Sequence, residues 1–173
     1  LLSFVFGLFY LVGLVPLMCE LRLQENGLVW LFFMFLVTWA GDTGAYFAGR
    51  SFGKRKLFER ISPNKTWAGM IGAVFGASVV GLVAHFWADA LIAPTLALPI
   101  ILLLGAVLAV VAQLGDLFES ALKRKYDLKD TGAILPGHGG VLDRVDGLIG
   151  ALIFLHVIVL LRGPSPLEAI LVW

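Results

Sequence analysis

The sequence predicts an all-α fold, a polytopic bundle of about five transmembrane helices with its functional site in two polar loops on one side. Hydrophobic residues make up 60% of the 173 positions and charged residues only 14%, whereas soluble domains carry about a quarter charged residues. The mean hydropathy is +0.94. Apolar runs of nearly bilayer-spanning length, without the alternation of a membrane β-barrel, indicate helices. The predicted spans are residues 2–17, 28–47, 70–87, 96–114 and 148–161.

The basic residues are concentrated in two segments that two predicted spans separate. Six of the 13 lysines and arginines lie in residues 50–65 and five in residues 123–144. Both segments therefore fall on one side of the membrane, and the positive-inside rule makes that side cytoplasmic. We expect an integral protein of the cell (inner) membrane, with a first cytoplasmic loop at 50–68 and a second at 115–147. The whole chain, 1–173, is expected to be one membrane-embedded catalytic domain that lacks N-terminal helices. The single cysteine excludes an internal disulfide.

A polar stripe runs along the second predicted span. Thr38, Asp42 and Tyr46 recur at every fourth residue and so share one helix face. A carboxylate inside a span normally faces the bundle interior or a wet cavity. Asp42 is therefore either a site residue or a polar contact between packed helices. Several glycines on this span and the next permit close approach of the two helices, namely Gly41, Gly44, Gly49, Gly72 and Gly76.

The first loop contains a candidate anion site. In the segment Ser62-Pro63-Asn64-Lys65-Thr66, Pro63 predicts a turn, and polar donors surround one cation just before a helix begins. Free N–H groups at a helix N-terminus together with a lysine suit a phosphate. The neighbouring Lys54, Arg55 and Lys56 are more typical of ordinary positive-inside anchors.

Charged residues follow the apolar run of the fourth predicted span. If the helix continues, Asp116, Glu119, Ser120 and Lys123 share a face, either as a site or as a solvated helix end with internal ion pairs.

The second loop combines glycines and carboxylates. The glycines of "PGHGG" (136–140) allow backbone N–H groups to approach a ligand closely. Asp143 and Asp146 are one helical turn apart, which suits a hard cation such as Mg²⁺, and Arg144 between them can bind phosphate. His138 is as compatible with a backbone clamp as with a catalyst. These groups at a membrane surface predict metal-assisted phosphate chemistry on a lipid.

Residues 120–146, "SALKRKYDLKDTGAILPGHGGVLDRVD", resemble the characteristic motif of the phosphatidate cytidylyltransferases, or CDP-diacylglycerol synthases. The segments "WAGDTGAYFAGRSFGK" and "ISPNKTW" are also similar to that family, so the resemblance covers about residues 37–161. It implies transfer of a cytidylyl group from CTP to phosphatidic acid with Mg²⁺, and allows a second cation. It also implies contact with membrane lipids, no nucleic-acid partner, and allows a homodimer.

The resemblance assigns roles to individual positions. The implied catalytic residues are Asp116, Lys123, Arg124, Lys129, Asp130, His138, Asp143, Arg144 and Asp146. The implied substrate-binding residues are Asp42, Ser62, Lys65, Thr66, Ser120, Gly139 and Gly140. Asp116 and Asp143, with Asp146 in support, are the implied metal ligands. The family commonly carries Glu where this chain has Ala68, so no carboxylate role is assigned there.

Two other functions are compatible with parts of this pattern. A CTP-dependent lipid-alcohol kinase of the dolichol or phytol type would use a similar bundle and transfer the γ-phosphoryl group instead. A cation transporter would use Asp42 and Asp116 as intramembrane ligands. The complete motif argues against the kinase, and the concentration of charges in loops on one side argues against the transporter.

Overall fold

A computed structural model describes residues 14–23, 27–91, 97–126 and 142–162, and side chains within them except at 88–91, 142–144 and 159–162. In this part of the chain, five helices and one β-hairpin form a helical membrane bundle, as predicted. The elements are α1 (14–23), α2 (Gly27–Phe52), β1 (Lys56–Phe58), β2 (Ser62–Thr66), α3 (Trp67–Leu91), α4 (Leu98–Lys125) and α5 (Leu142–Arg162).

Three of the described helices are long and apolar enough to cross a membrane, namely Gly27–Phe52, Trp67–Trp87 and Leu98–Lys125. They coincide with the second, third and fourth predicted spans. The fifth predicted span corresponds to α5, whose described apolar part, Val145–Ile158, is shorter. Most of the first predicted span lies outside the described residues.

Helix α4 continues well beyond the predicted end of its apolar run at residue 114. Residues 115–125 are helical, and an ion pair one turn apart joins Lys123 Nζ to Glu119 Oε1 at 3.1 Å. Three cations occupy the last turn, where they interact favourably with the negative end of the helix dipole. The predicted second loop at 115–147 is therefore too long, because α4 takes its first eleven residues and α5 begins at residue 142.

The close packing of α2 against α3 depends on glycine. A Cβ on Gly44 would overlap the carbonyl oxygen of Gly72, and one on Gly76 would overlap that of Ala40. The predicted small-residue contact between these two helices is thus confirmed at these positions. Beside it, Met34, Val37, Ala73 and Ala77 form part of the buried core.

Helices α4 and α5 also approach closely at the end of the bundle that holds the polar residues. A Cβ on Gly150 would lie 3.2 Å from the Cα of Gly115, and Leu108, Ile149 and Leu152 pack in the core nearby. This contact fixes the first turns of α5 beside the last turns of α4. Carboxylates on the two helices are thereby brought together.

The first loop folds into a two-stranded antiparallel hairpin that the sequence did not predict. Lys56 pairs with Thr66 and Phe58 with Ser62. The reversal lies between the strands, where Ile61 N donates to Phe58 O, so the predicted turn at Pro63 is wrong and Pro63 lies in β2. A helix does begin directly afterwards, as predicted, and Thr66 Oγ1 accepts a hydrogen bond from Gly69 N at 3.0 Å as its N-terminal cap.

Candidate active site

An open cleft lies where the hairpin meets the ends of α2, α3 and α4. Its lining is mostly polar on the hairpin side and includes two carboxylates from the helices. The lining residues are Asp42, Ala45, Tyr46, Leu57, Ser62, Asn64, Lys65, Thr66, Gly69, Met70, Gln113 and Asp116. Five of the predicted site residues, Asp42, Ser62, Lys65, Thr66 and Asp116, therefore share this cleft.

Lys65 links the hairpin to α4. Its Nζ lies 2.8 Å from Asp116 Oδ2 and donates to the main-chain carbonyl oxygen of Gln113 at 2.9 Å. The Lys65 side chain is only 13% exposed, whereas that of Asp116 is 36% exposed. A partly buried ammonium group thus stands at the cleft wall, paired with a carboxylate that faces the opening more fully.

The polar stripe on α2 divides into three different roles. Asp42 lines the cleft, and its Oδ1 accepts a hydrogen bond from Gln113 Nε2 at 3.1 Å. Tyr46 also lines the cleft, and its hydroxyl oxygen accepts from Arg50 Nη1 at 2.8 Å. Thr38 is buried and donates to Met34 O within its own helix, so it does not reach the site.

The end of α4 carries three further predicted site residues that stand outside the cleft lining. Ser120 Oγ donates to Asp116 Oδ1 at 3.3 Å and so supports the carboxylate that Lys65 binds. Lys123 pairs with Glu119, which is 3% exposed. Arg124 Nε donates to Ile61 O at 3.5 Å, a long contact between α4 and the turn of the hairpin.

Carboxylates from three helices converge near Lys65. Asp42 on α2 and Asp116 on α4 line the same cleft, and the main chain of Asp146 on α5 packs against Gly115, next to Asp116. One oxygen of Asp146 accepts from Gly147 N at 2.7 Å. Asp116 therefore lies near both Asp42 and Asp146 at this end of the bundle.

The donor set fits Mg²⁺, which takes one or two carboxylates and completes its shell with substrate phosphates and water. Among the described side chains, no three acidic, histidine or cysteine groups are arranged around one metal position. Two carboxylates from adjacent helices, Asp116 and Asp146, are sufficient for such a site when phosphate oxygens supply the remaining ligands.

Several predicted residues cannot be placed. Asp143 and Arg144 lie in the first turn of α5, but their side chains are not among those described. The other predicted residues of the second loop lie outside the described residues, namely Lys129, Asp130, His138, Gly139 and Gly140.

Sequence reasoning missed one residue of this region. Gln113 is 8% exposed and bridges α4 to α2. The available signal was an amide placed among apolar residues one turn before Asp116, because a buried polar group needs a partner.

The fold and the cleft together define a helical membrane protein with paired cations and carboxylates at one end of its bundle. Residues 1–161 match the model of the cytidylyltransferase family. The chain therefore belongs to this family, as its motifs predicted.

Curated relatives agree with the family match. The chain is 47% identical over 145 residues to the phosphatidate cytidylyltransferase of Bacillus subtilis, covering 82% of this chain and 52% of the relative. It is 41% identical over 161 residues to that of Haemophilus influenzae (89% and 56%), and 44% identical over 168 residues to that of Brucella abortus (95% and 60%). The chain thus spans a little over half the length of these relatives.

Proposed function

We propose that the full-length protein transfers the cytidylyl group of CTP to phosphatidic acid and releases pyrophosphate. Family membership and the names of the curated relatives support the proposal. The structural observation that carries it is the ion pair between Lys65 and Asp116 in an open cleft, at the N-terminus of α3. A cation just before the positive end of a helix dipole favours phosphate, and the neighbouring carboxylates suit a divalent cation.

The reaction needs positive charge more than it needs a nucleophilic side chain. A phosphate oxygen of phosphatidic acid attacks the α-phosphorus of CTP, and the bond from that phosphorus to the bridging oxygen breaks as pyrophosphate leaves. Charge grows on the attacked phosphoryl group and on the leaving group, so positioning and electrostatic stabilisation provide the catalysis. In this proposal Lys65 binds the nucleotide phosphates from the hairpin side of the cleft. No covalent intermediate is required.

Two further cations of the predicted site are assigned to the lipid substrate in this proposal. Lys123 and Arg124 lie on the last turns of α4, and Arg124 contacts the hairpin turn. Lysine and arginine at a membrane surface attract anionic headgroups. These two residues therefore suit the phosphate of the lipid substrate.

Asp116 and Asp146 would hold Mg²⁺, with Asp143 as a further ligand. When bound, the ion supplies positive charge that neutralises the phosphates of CTP. Ser120 keeps Asp116 in place through its hydroxyl group, and Lys65 neutralises the other oxygen of the same carboxylate. Asp116 therefore belongs to a connected polar network, which orients it before substrate arrives.

The test uses full-length protein in detergent micelles containing phosphatidic acid, with CTP and Mg²⁺. CTP labelled at the α-phosphate should transfer its label to the lipid, and CTP labelled at the γ-phosphate should release its label as pyrophosphate. Diacylglycerol in place of phosphatidic acid is the control and should accept neither label. Transfer of the γ-label to a lipid alcohol would identify a kinase instead. Absence of any labelled lipid would refute the proposal.

We further propose that the hairpin and the end of α4 face the cytoplasm, because residues 50–65 and 123–144 hold eleven of the thirteen lysines and arginines. Cysteines introduced at Ser51 and Lys125, both exposed, should be labelled from the same side by a membrane-impermeant maleimide. The native Cys19 is exposed and must first be changed to Ser. Labelling only from the outer side would show that the protein has the opposite orientation. A homodimer stays a prediction, which cross-linking of the full-length protein in membranes would test.

A further inference from the structure

Gln113 occupies a central place in the polar network of the cleft. Its side-chain amide donates to Asp42 Oδ1 at 3.1 Å, and its main-chain carbonyl oxygen accepts from Lys65 Nζ at 2.9 Å. The residue is 8% exposed and lies on α4, one turn before Asp116. One residue thus contacts both a carboxylate of α2 and the ammonium group of the hairpin.

Two carboxylates share the cleft with the same cation. Lys65 forms its ion pair with Asp116 at 2.8 Å, and Asp42 lines the same cleft. An ammonium group can pair with either carboxylate, and its choice depends on what other donors each carboxylate has. Asp42 has the amide of Gln113 as a donor, whereas Asp116 has the hydroxyl of Ser120 and Lys65 itself.

We propose that Gln113 is a positioning residue that holds Asp42 on the α2 side of the cleft and so directs Lys65 to Asp116. The proposal rests on the cytidylyltransferase function proposed above. A neutral amide is suited to this task because it satisfies a carboxylate oxygen without adding charge to the cleft. The main-chain contact from Gln113 O to Lys65 fixes the lysine in the same place.

The expected effect follows from the loss of one hydrogen bond to a charged group. Hydrogen bonds to charged groups contribute more than bonds between neutral groups. Gln113→Met keeps the length of the side chain and removes the donor. Asp42 then loses its partner and draws Lys65 away from Asp116. We expect kcat/KM for CTP to fall about tenfold or more, while KM for phosphatidic acid stays within about twofold.

A double-mutant cycle with Asp42 distinguishes positioning from general structural support. Asp42→Asn removes the charge that competes for Lys65, so adding Gln113→Met to it should cause little further loss of kcat/KM. The wild type, the two single variants and the double variant should also show coupling between Gln113 and Asp42 in thermal unfolding. This measurement does not depend on turnover. Gln113→Asn, whose amide is one methylene too short, replaces Gln113→Met if that variant does not accumulate.

Ser78→Ala is the matched control, because Ser78 is a half-buried polar residue whose hydroxyl donates to Val74 O within α3. It should leave kcat/KM unchanged and combine additively with Asp42→Asn. The positioning role would be overturned if the kinetic effects of Gln113→Met and Asp42→Asn multiply in the double variant, or if the two substitutions show no coupling in thermal unfolding. In either case, cytidylyl transfer by the wild-type protein would still support the proposed function. No transfer by the wild-type protein would refute the proposed function, and the positioning role with it.

Discussion

Replacement of Lys65 by Met should abolish most activity while leaving the protein folded. Lys65 Nζ makes two charge-assisted contacts, 2.8 Å to Asp116 and 2.9 Å to Gln113 O. Met has a similar length and an uncharged tip, so the side chain can still occupy the space between the hairpin and α4. The substitution therefore removes charge and hydrogen bonds with little change in packing.

The cost in stability is small because the pair is partly open to solvent. A fully buried pair that loses one partner costs several kcal/mol, but Asp116 is 36% exposed and water can solvate it once Lys65 is gone. We expect a loss of about 1 kcal/mol in the free energy of unfolding. The cost in activity is larger, because removing one aligned positive group from a phosphoryl transition state lowers kcat by about 10²–10³-fold.

The measurement is the transfer of α-labelled cytidylyl to phosphatidic acid, with thermal unfolding of the same purified samples. Lys65→Arg is the matched control: it keeps the charge but presents a planar guanidinium, so we expect an intermediate loss of about tenfold. Activity of Lys65→Met within about twofold of wild type, with unchanged unfolding, would show that Lys65 is only a surface charge and that the cleft is not the active site.

Two further predictions concern the carboxylates and the helix contact. Asp116→Asn and Asp143→Asn should each lower the rate of cytidylyl transfer at least about 10²-fold. Asp146→Asn should also cause a severe loss of activity, which raised Mg²⁺ or Mn²⁺ should partly restore. Near-normal rates with unchanged metal dependence in Asp116→Asn and Asp143→Asn would refute the metal assignment. Gly44→Ala should destabilise the protein by about 1–3 kcal/mol, because the new Cβ overlaps Gly72 O. Gly41→Ala should be neutral or stabilising, since its Cβ meets Ala73 O at 3.6 Å. Equal unfolding temperatures of the two variants would contradict this reasoning.

The helices could be predicted because lipid leaves the backbone few alternatives. Apolar runs of sufficient length must form helices, and α2, α3 and α4 follow them closely. The extension of α4 to Lys125 was predicted only conditionally, because a hydropathy profile ends where charged residues begin. Side-chain spacing within 116–123 contained the missing information, and the ion pair from Glu119 to Lys123 confirms one part of it.

The hairpin could not be predicted from its own residues. Its strands have three and five residues, and β2 contains a proline, which is unfavourable inside a ladder. An isolated two-stranded hairpin is marginal in water. Here Lys65 of β2 contacts Asp116, and Arg124 contacts Ile61 O in the turn of the hairpin. Tertiary contacts therefore stabilise a local structure that propensity does not favour.

The sequence predicted individual residues of the candidate site but not which of them contact each other. Lys65 and Asp116 were each singled out for phosphate or metal chemistry, yet the sequence places them on separate segments and offers no signal that they touch. Asp42 was left between a site role and a packing role, and the structure places it in the cleft lining beside Gln113. Gln113 itself was missed because a single glutamine belongs to no spacing motif, and its position among apolar residues was the one signal that it needs a partner.

The order of elements explains why these charges meet at all. Strand β2 ends at Thr66, which caps α3, so Lys65 is held immediately before the positive end of a helix dipole. That position alone would be strongly electropositive at the membrane surface. Asp116 from α4 and Asp42 from α2 offset this charge. Asp116 pairs with the lysine directly, and Gln113 connects Asp42 to it through its side-chain amide and its main-chain carbonyl oxygen. Anionic phosphates entering the cleft would therefore meet a cation already held in position, because the residues that neutralise Lys65 also orient it.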